Sequence, residues 1–504
     1  MRERVRAVRA WAWGRVLLWL LALLALAPAS GAQPVTTYHG AADRSGNFTM
    51  PGLTWERART LRLDPVFAPR FAGHLYAQPL YWRPPGRAAG VLLVASESNT
   101  VAAIDAANGK MLWRRSLGSP APLDAFPCGN IDPLGITGTP VIDPASGTLY
   151  LDAMVVEAQG PRHRLFALSL ADGALRPGWP LDVAEAVRMT RQRFDPQVQN
   201  QRGALSIFDN MLYVPYGGFF GDCGDYHGWV VGVGLGDKHQ IVAWRTRARG
   251  GGIWAPGGLA SDGAALYAAT GNTIGAADWS DGEAVLRLAP DLHHSEHSAD
   301  FFAPANWRAL DARDADLGGT NPLPLDLPSA DGGRQPVVLA LGKDGRGYLL
   351  DRRNLGGLGS SLLAERLSPY PIRTAPAAYR AADGVHVAFE GAGAGCPQHR
   401  GPGGVTMLRL RAGTPPAMET AWCAALSGAG APIVTTTDGH SDPIVWILGA
   451  EGDNRLHGFR GDTGEVLFTG PPLVGLRHFE TLIAADGRLY IGADGRLYAF
   501  DVAR

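Results

Sequence analysis

The stretch Val91-Leu-Leu-Val-Ala95 … Ala103-Ile-Asp-Ala-Ala-Asn-Gly-Lys-Met-Leu-Trp113 decides the fold. Its apolar run is short enough for a strand, and Asn108-Gly109 is a turn signal because both residues tolerate positive φ. The next strand ends in an aromatic. The same unit recurs from Gly138-Thr-Pro-Val-Ile-Asp143 through Phe166-Ala-Leu-Ser-Leu-Ala-Asp-Gly173 to Trp179, and from Leu212-Tyr-Val214 to Trp244. Further copies cover Leu266 to Leu288, Val337 to Arg353, Val385 to Trp422, Ile444 to Phe468 and Leu489 to Asp501. The spacing of about 40–60 residues is that of four-stranded propeller blades.

The expected fold is all-β, a single propeller of eight four-stranded blades, with seven as the alternative. The last unit lacks an outer strand, and Thr60-Leu-Arg-Leu-Asp-Pro-Val-Phe67 supplies one, closing the ring through N- and C-terminal strands. Closure matters because it removes the unpaired sheet edges that an open array exposes. A linear solenoid would need capping repeats, which the chain lacks.

Composition narrows the function classes. The chain has 504 residues, a formal net charge of −1 and a hydrophobic fraction of 46%, enough for a large core and too balanced for a nucleic-acid partner. Residues 1–32 read as a signal peptide. Arg2, Arg4, Arg6, Arg9 and Arg15 precede an apolar run from Val16 to Ala27, and Ala29, Ser30, Gly31 and Ala32 form a cleavage-like end. The run is shorter than the roughly 20 residues a membrane span needs. Residues 33–504 are then the mature propeller domain, periplasmic or secreted, with no span after cleavage. Cys128, Cys223, Cys396 and Cys423 allow three disulfide pairings in an oxidising compartment. Cys396 and Cys423 share one repeat, which favours that pair and leaves Cys128 with Cys223.

Ala103-x-Asp105-x-x-x-Gly109-Lys110-x-x-Trp113 resembles the tryptophan-docking repeat of the bacterial PQQ-binding-like (quinoprotein-like) β-propeller family. His74-Leu-Tyr-Ala-Gln-Pro-Leu-Tyr81, Gln199-Asn-Gln-Arg202, Gly250-Gly-Gly-Ile-Trp254, Thr270-Gly-Asn272 and Gly342-Lys-Asp-Gly-Arg-Gly-Tyr-Leu-Leu-Asp-Arg352 extend the likeness over most of the chain. The resemblance implies that the Trp of one blade packs on the Gly turn of the next. It also makes pyrroloquinoline quinone (PQQ) and calcium possible cofactors. PQQ needs an aromatic floor, cations for its carboxylates and, in dehydrogenases, a calcium ion with an Asp base.

The candidates for those tasks are Lys343 with Asp344, in a segment similar to one that gives PQQ alcohol dehydrogenases a cofactor-contacting Lys, and Trp254 as the floor. Gln201 and Arg202 are placed beside the central channel, with Arg202 suited to a bidentate carboxylate clamp. Asn272 is a candidate calcium ligand. Against this, the chain lacks the adjacent cysteines of methanol-dehydrogenase-like enzymes and offers no matching Glu, Asn and Asp calcium set. His293, His294, Glu296 and His297 have metal-binding side chains but read as a solvated loop, and His227 reads as a satisfied core histidine.

The sequence favours a non-catalytic envelope platform for a small molecule, polymer or protein; the alternatives are a PQQ- and calcium-dependent oxidoreductase acting on alcohol or sugar hydroxyls, and a carbohydrate-binding or carbohydrate-cleaving propeller suggested by abundant surface Trp and Tyr. Clustering of Lys343, Arg202, Trp254 and a carboxylate at one channel mouth would favour the oxidoreductase.

Overall fold

Each repeat folds as an antiparallel meander because its strands alternate through short turns and bury both faces against neighbouring meanders. The computed structural model describes residues 33–236, 238–396 and 403–502; the signal-peptide reading of residues 1–32 lies outside them. Eight sheets result, which settles the blade count at eight. Blade 1 comprises Leu80–Trp82, Val91–Ser96, Thr100–Asp105 and Met111–Ser116, and blade 8 begins at Leu482–Ala485.

Blades join as the repeat implies. Trp113 of blade 1 donates its indole N–H to Leu170 O at 3.1 Å. A Cβ on Gly173, whose φ is +70°, would stand 2.7 Å from that ring, so only glycine leaves room for the docked Trp. The arrangement recurs between blades 6 and 7, where Trp422 donates to Gly461 O at 2.7 Å and covers Gly464. The large aromatics Trp229, Trp446, Tyr213, Tyr216, Tyr226 and Tyr267 are fully buried. This corrects the expectation of abundant surface Trp and Tyr: the blades consume them as packing, and the carbohydrate reading loses its support.

The ring closes as the sequence implies. Leu61–Leu63 pairs antiparallel with Arg496–Val502, with Leu61 opposite Val502. Phe67 then lies against the Gly109 turn, doing at the last junction what the docking tryptophans do elsewhere.

The channel holds an element that has no repeat signature. Residues 35–50 cross it from blade to blade. Val35 and Tyr81 exchange backbone bonds of 2.8 and 3.0 Å, and the carbonyls of Thr36, Ala42, Ser45 and Gly46 accept from Ile142, Ser261, Ala378 and Val434. Those acceptors' partners belong to the first strands of blades 2, 4, 6 and 7, so these strands face a common centre. Asn47–Thr49 finishes the segment as an extra parallel strand on Ile433–Thr436. Arg44, with 0% exposure, pins it: Nε donates to Leu259 O at 2.9 Å and Nη2 to Leu205 O at 3.2 Å and Ser206 Oγ at 2.6 Å. No described carboxylate pairs with this guanidinium, and burial pulls its pKa down to about 10. Tyr38, at the tip, packs against Ala204, Ala375 and Ala431 of three different blades. One end of the channel is thereby plugged.

Candidate functional site

At the opposite end, the loops linking successive blades and the hairpins between second and third strands enclose a cavity of about 460 Å³. Four of the expected residues, Arg202, Trp254, Asn272 and Lys343, line it. They arrive from blades 3, 4, 4 and 5, so the ring brings together what the sequence keeps up to 141 positions apart (343 − 202).

Trp254 is delivered by the glycine run before it. Gly250 and Gly251 have φ of +89° and +66°, and Gly251 donates to Asn272 O at 2.7 Å, a route that β-carbons would block. The indole Nε1 donates to Asp316 Oδ2 at 3.0 Å, which fixes the ring plane. Lys343 reaches over that ring, its Nζ 5.1 Å from the centroid, 2.6 Å from Asp316 and 2.7 Å from Asp314. Asn272 contributes its backbone N–H to Asp316 Oδ1 at 3.0 Å. Asp316 is thus the hub, with its side chain 3% exposed.

Burial raises the pKa of Asp316, and the Lys343 ammonium only partly pulls it back. Burial also lifts Glu283, helped by the charge of Asp316; its Oε2 accepts from the Leu317 N–H at 2.6 Å. These two sealed carboxyls together favour holding a proton. Burial works against the charge on Lys343, but Asp316 and Asp314 outweigh it and hold its pKa high.

Two guanidiniums flank this cluster: Arg202 on blade 3 and Arg373 before blade 6. Among the described residues neither makes a hydrogen bond or an ion pair. Arg202 lies on the ring of Phe479, 5.1 Å from its centroid, and burial lowers its pKa. Wall residues Phe219 and Asp222 belong to a loop tied by the Cys128–Cys223 disulfide; Cys396–Cys423 forms the other bridge, so the favoured pairing is the one found.

Two candidates stand elsewhere. Asp344 accepts from the Arg346 N–H at 3.0 Å and the Tyr348 hydroxyl at 2.6 Å, serving its own turn. Gln201 is buried over Gly138 and donates to Gly203 O at 2.5 Å, since alternation along the chain sends it away from the side Arg202 takes. Sequence reading missed Asp314, Asp316, Arg373 and Phe479. An Asp-Ala-Asp just before the Gly318-Gly319 pair was the available signal for the first two. His227 is a satisfied core histidine, its Nδ1 2.9 Å from Thr246 O. Glu296 pairs with Arg247, and no group of three metal-ligating side chains forms around the nearby histidines or anywhere else among the described residues.

The PQQ_2 family model, described as outer membrane protein assembly factor BamB, matches residues 53–176. That stretch is similar to the family, and the described residues as a whole form an eight-bladed β-propeller. The propeller superposes on quinohemoprotein alcohol dehydrogenase from Comamonas testosteroni with a TM-score of 0.66 at 16% identity, covering 94% of this chain and 81% of that one. It superposes on quinohemoprotein alcohol dehydrogenase ADHIIG from Pseudomonas putida HK5 with a TM-score of 0.66 at 14% identity, covering 93% and 80%. A europium-containing methanol dehydrogenase gives 0.65 at 12% identity, covering 93% and 98%. At such identities the likeness is one of fold. No curated protein sequence matches the chain.

Proposed function

We propose that this PQQ-like propeller is an exported protein that holds a planar, polyanionic quinone of the PQQ kind in the channel-mouth pocket. The observation that carries the reading is the convergence on one cavity of Trp254, Lys343 and two guanidiniums, Arg202 and Arg373, that make no hydrogen bond or ion pair among the described residues. An indole floor suits a flat ring, and guanidiniums without protein acceptors suit carboxylates. Export rests on the pattern of residues 1–32, and no helix among the described residues is long and apolar enough to cross a membrane.

The residues fit PQQ better than they fit calcium. Both oxygens of Asp316 are already engaged by N–H donors and the Lys343 ammonium, which supplies the positive charge a cation would bring. Bound PQQ would supply a two-electron acceptor. Asp316, made more basic by burial, is the group placed to take a proton from an alcohol or sugar hydroxyl above Trp254, with Lys343 steadying the resulting charge distribution. A second reading, ligand capture without turnover, is favoured by that same engagement of Asp316, which leaves it no free lone pair facing the pocket without a shift of Lys343.

Titration calorimetry of the mature protein with PQQ, with and without calcium, tests the proposal. Saturable binding that Lys343→Ala and Trp254→Ala each weaken supports it, and dye reduction with alcohols or sugars then separates turnover from capture. Absence of binding at high micromolar PQQ overturns it.

A further inference from the structure

Phe479 lines the pocket with φ of +67°. A bulky residue in the left-handed region is an outlier and persists only where the surroundings enforce it. They do so here. The Phe479 N–H donates to Ala429 O at 2.7 Å, and the Glu480 carbonyl accepts from the Ala431 N–H at 2.8 Å, so two bonds to one neighbouring strand approach clamp the backbone on both sides of the strained residue. The product of the clamp is a phenyl ring set under Arg202, 5.1 Å from its guanidinium carbon. Arg202 makes no hydrogen bond or ion pair among the described residues; apart from the longer-range attraction of Glu97, the ring is what it rests on.

We propose that Phe479 is a positioning residue whose enforced backbone holds the Arg202 guanidinium at the channel mouth, its donors free to take a carboxylate of the bound ligand. The inference rests on the pocket being a site for a PQQ-like anion and adds the residue that readies one of its subsites. A cation–π contact is worth most where water is excluded, and it leaves the N–H edges of a guanidinium open, which an ion pair would not. That combination suits a cation meant to meet a ligand rather than to be neutralised by the protein.

The test uses the mature protein and three variants, Phe479→Ala, Phe479→Gly and Phe479→Tyr, with PQQ affinity by calorimetry and melting temperature as the two readouts. Ala and Gly remove the ring, and each should weaken PQQ binding about tenfold, equivalent to about 1.4 kcal/mol. Tyr keeps the π face and should bind within about twofold of the parent. The melting order carries the strain argument: at an ordinary site Ala is the more stable, whereas at φ of +67° the Gly variant should melt above the Ala variant. Unchanged affinity in the Ala and Gly variants, with Lys343→Ala still weakening binding, overturns this inference and leaves the pocket reading standing. An Ala variant that melts above the Gly variant also overturns it. Failure of the parent protein to bind PQQ overturns both.

Discussion

Replacing Lys343 by Met removes the only cation paired with Asp316 among the described residues while keeping most of the side-chain volume. The two groups are 2.6 Å apart, with side chains 13% and 3% exposed. At an effective dielectric constant of about 20 the direct attraction over that distance is about 6 kcal/mol, most of it offset by the desolvation both ions have already suffered. Breaking such a pair from one side costs about 3 kcal/mol, because the surviving carboxylate stays buried. Asp316 has an escape, which is to bind a proton. Neutralising a carboxyl with an ordinary pKa of about 3.9 costs about 4 kcal/mol at pH 7 and about 1.5 kcal/mol at pH 5. The loss is therefore capped, and the cap falls with pH. The folded variant, its Asp316 raised further by the remaining charge of Asp314, binds more protons than the unfolded chain, so its stability declines as pH rises from about 4 toward the folded pKa. For a chain of this size the entropy of unfolding is about 1 kcal/mol/K, so about 3 kcal/mol appears as a drop in Tm of about 3 °C. Scanning calorimetry of Lys343→Met against the parent from pH 5 to pH 8 should show the difference narrowing at pH 5. The double variant Lys343→Met with Asp316→Asn should regain most of the loss at pH 8. An equal loss at both ends of the range, or a double variant no better than the single, would refute this account of the pair.

Trp422→Ala should cost about 3–5 kcal/mol in denaturant unfolding, because it empties a buried docking site and orphans Gly461 O. Arg44→Gln should lower Tm and expose residues 35–50 to limited proteolysis, since the carbonyls of Leu205 and Leu259 lose their guanidinium donors. Replacing Cys128 and Cys223 by Ser should destabilise the protein by about 1 kcal/mol more than replacing Cys396 and Cys423, given loops of 95 against 27 residues in the chain-entropy account; equal losses in the two double variants would reject loop length as the cause.

Legibility from sequence tracked the range of the interactions involved. The Trp113 and Gly173 docking pair and the closing strand at Leu61 are readable because each is written in local alternation, a turn glycine and a terminal aromatic. Arg202, Trp254, Asn272 and Lys343 are readable because each lies in a short segment that resembles a family motif and has the side chain that a planar polyanion or a cation needs. Asp344 adjoins Lys343 in the chain and so draws the eye, whereas the partner in space, Asp316, comes from the preceding interblade loop. The crossing segment at 35–50 has no period at all: its backbone bonds are spread over five blades, and no window of sequence contains both ends of any of them. Phe479 gave no signal either, since a positive φ at a phenylalanine is imposed by Ala429 and Ala431 rather than chosen by the residue.

The pairing of Leu61 with Val502 also sets the order in which the chain can mature. A polypeptide that emerges amino terminus first must leave Leu61–Leu63 without its partner until Arg496–Val502 has been delivered. Through that interval blade 8 lacks its outer strand, and the segment that crosses the channel has no complete wall to grip. Completion is thus a single late event that depends on both strands arriving in one compartment. A chain interrupted within its last strand should be cleared by proteolysis rather than accumulate as a seven-bladed product.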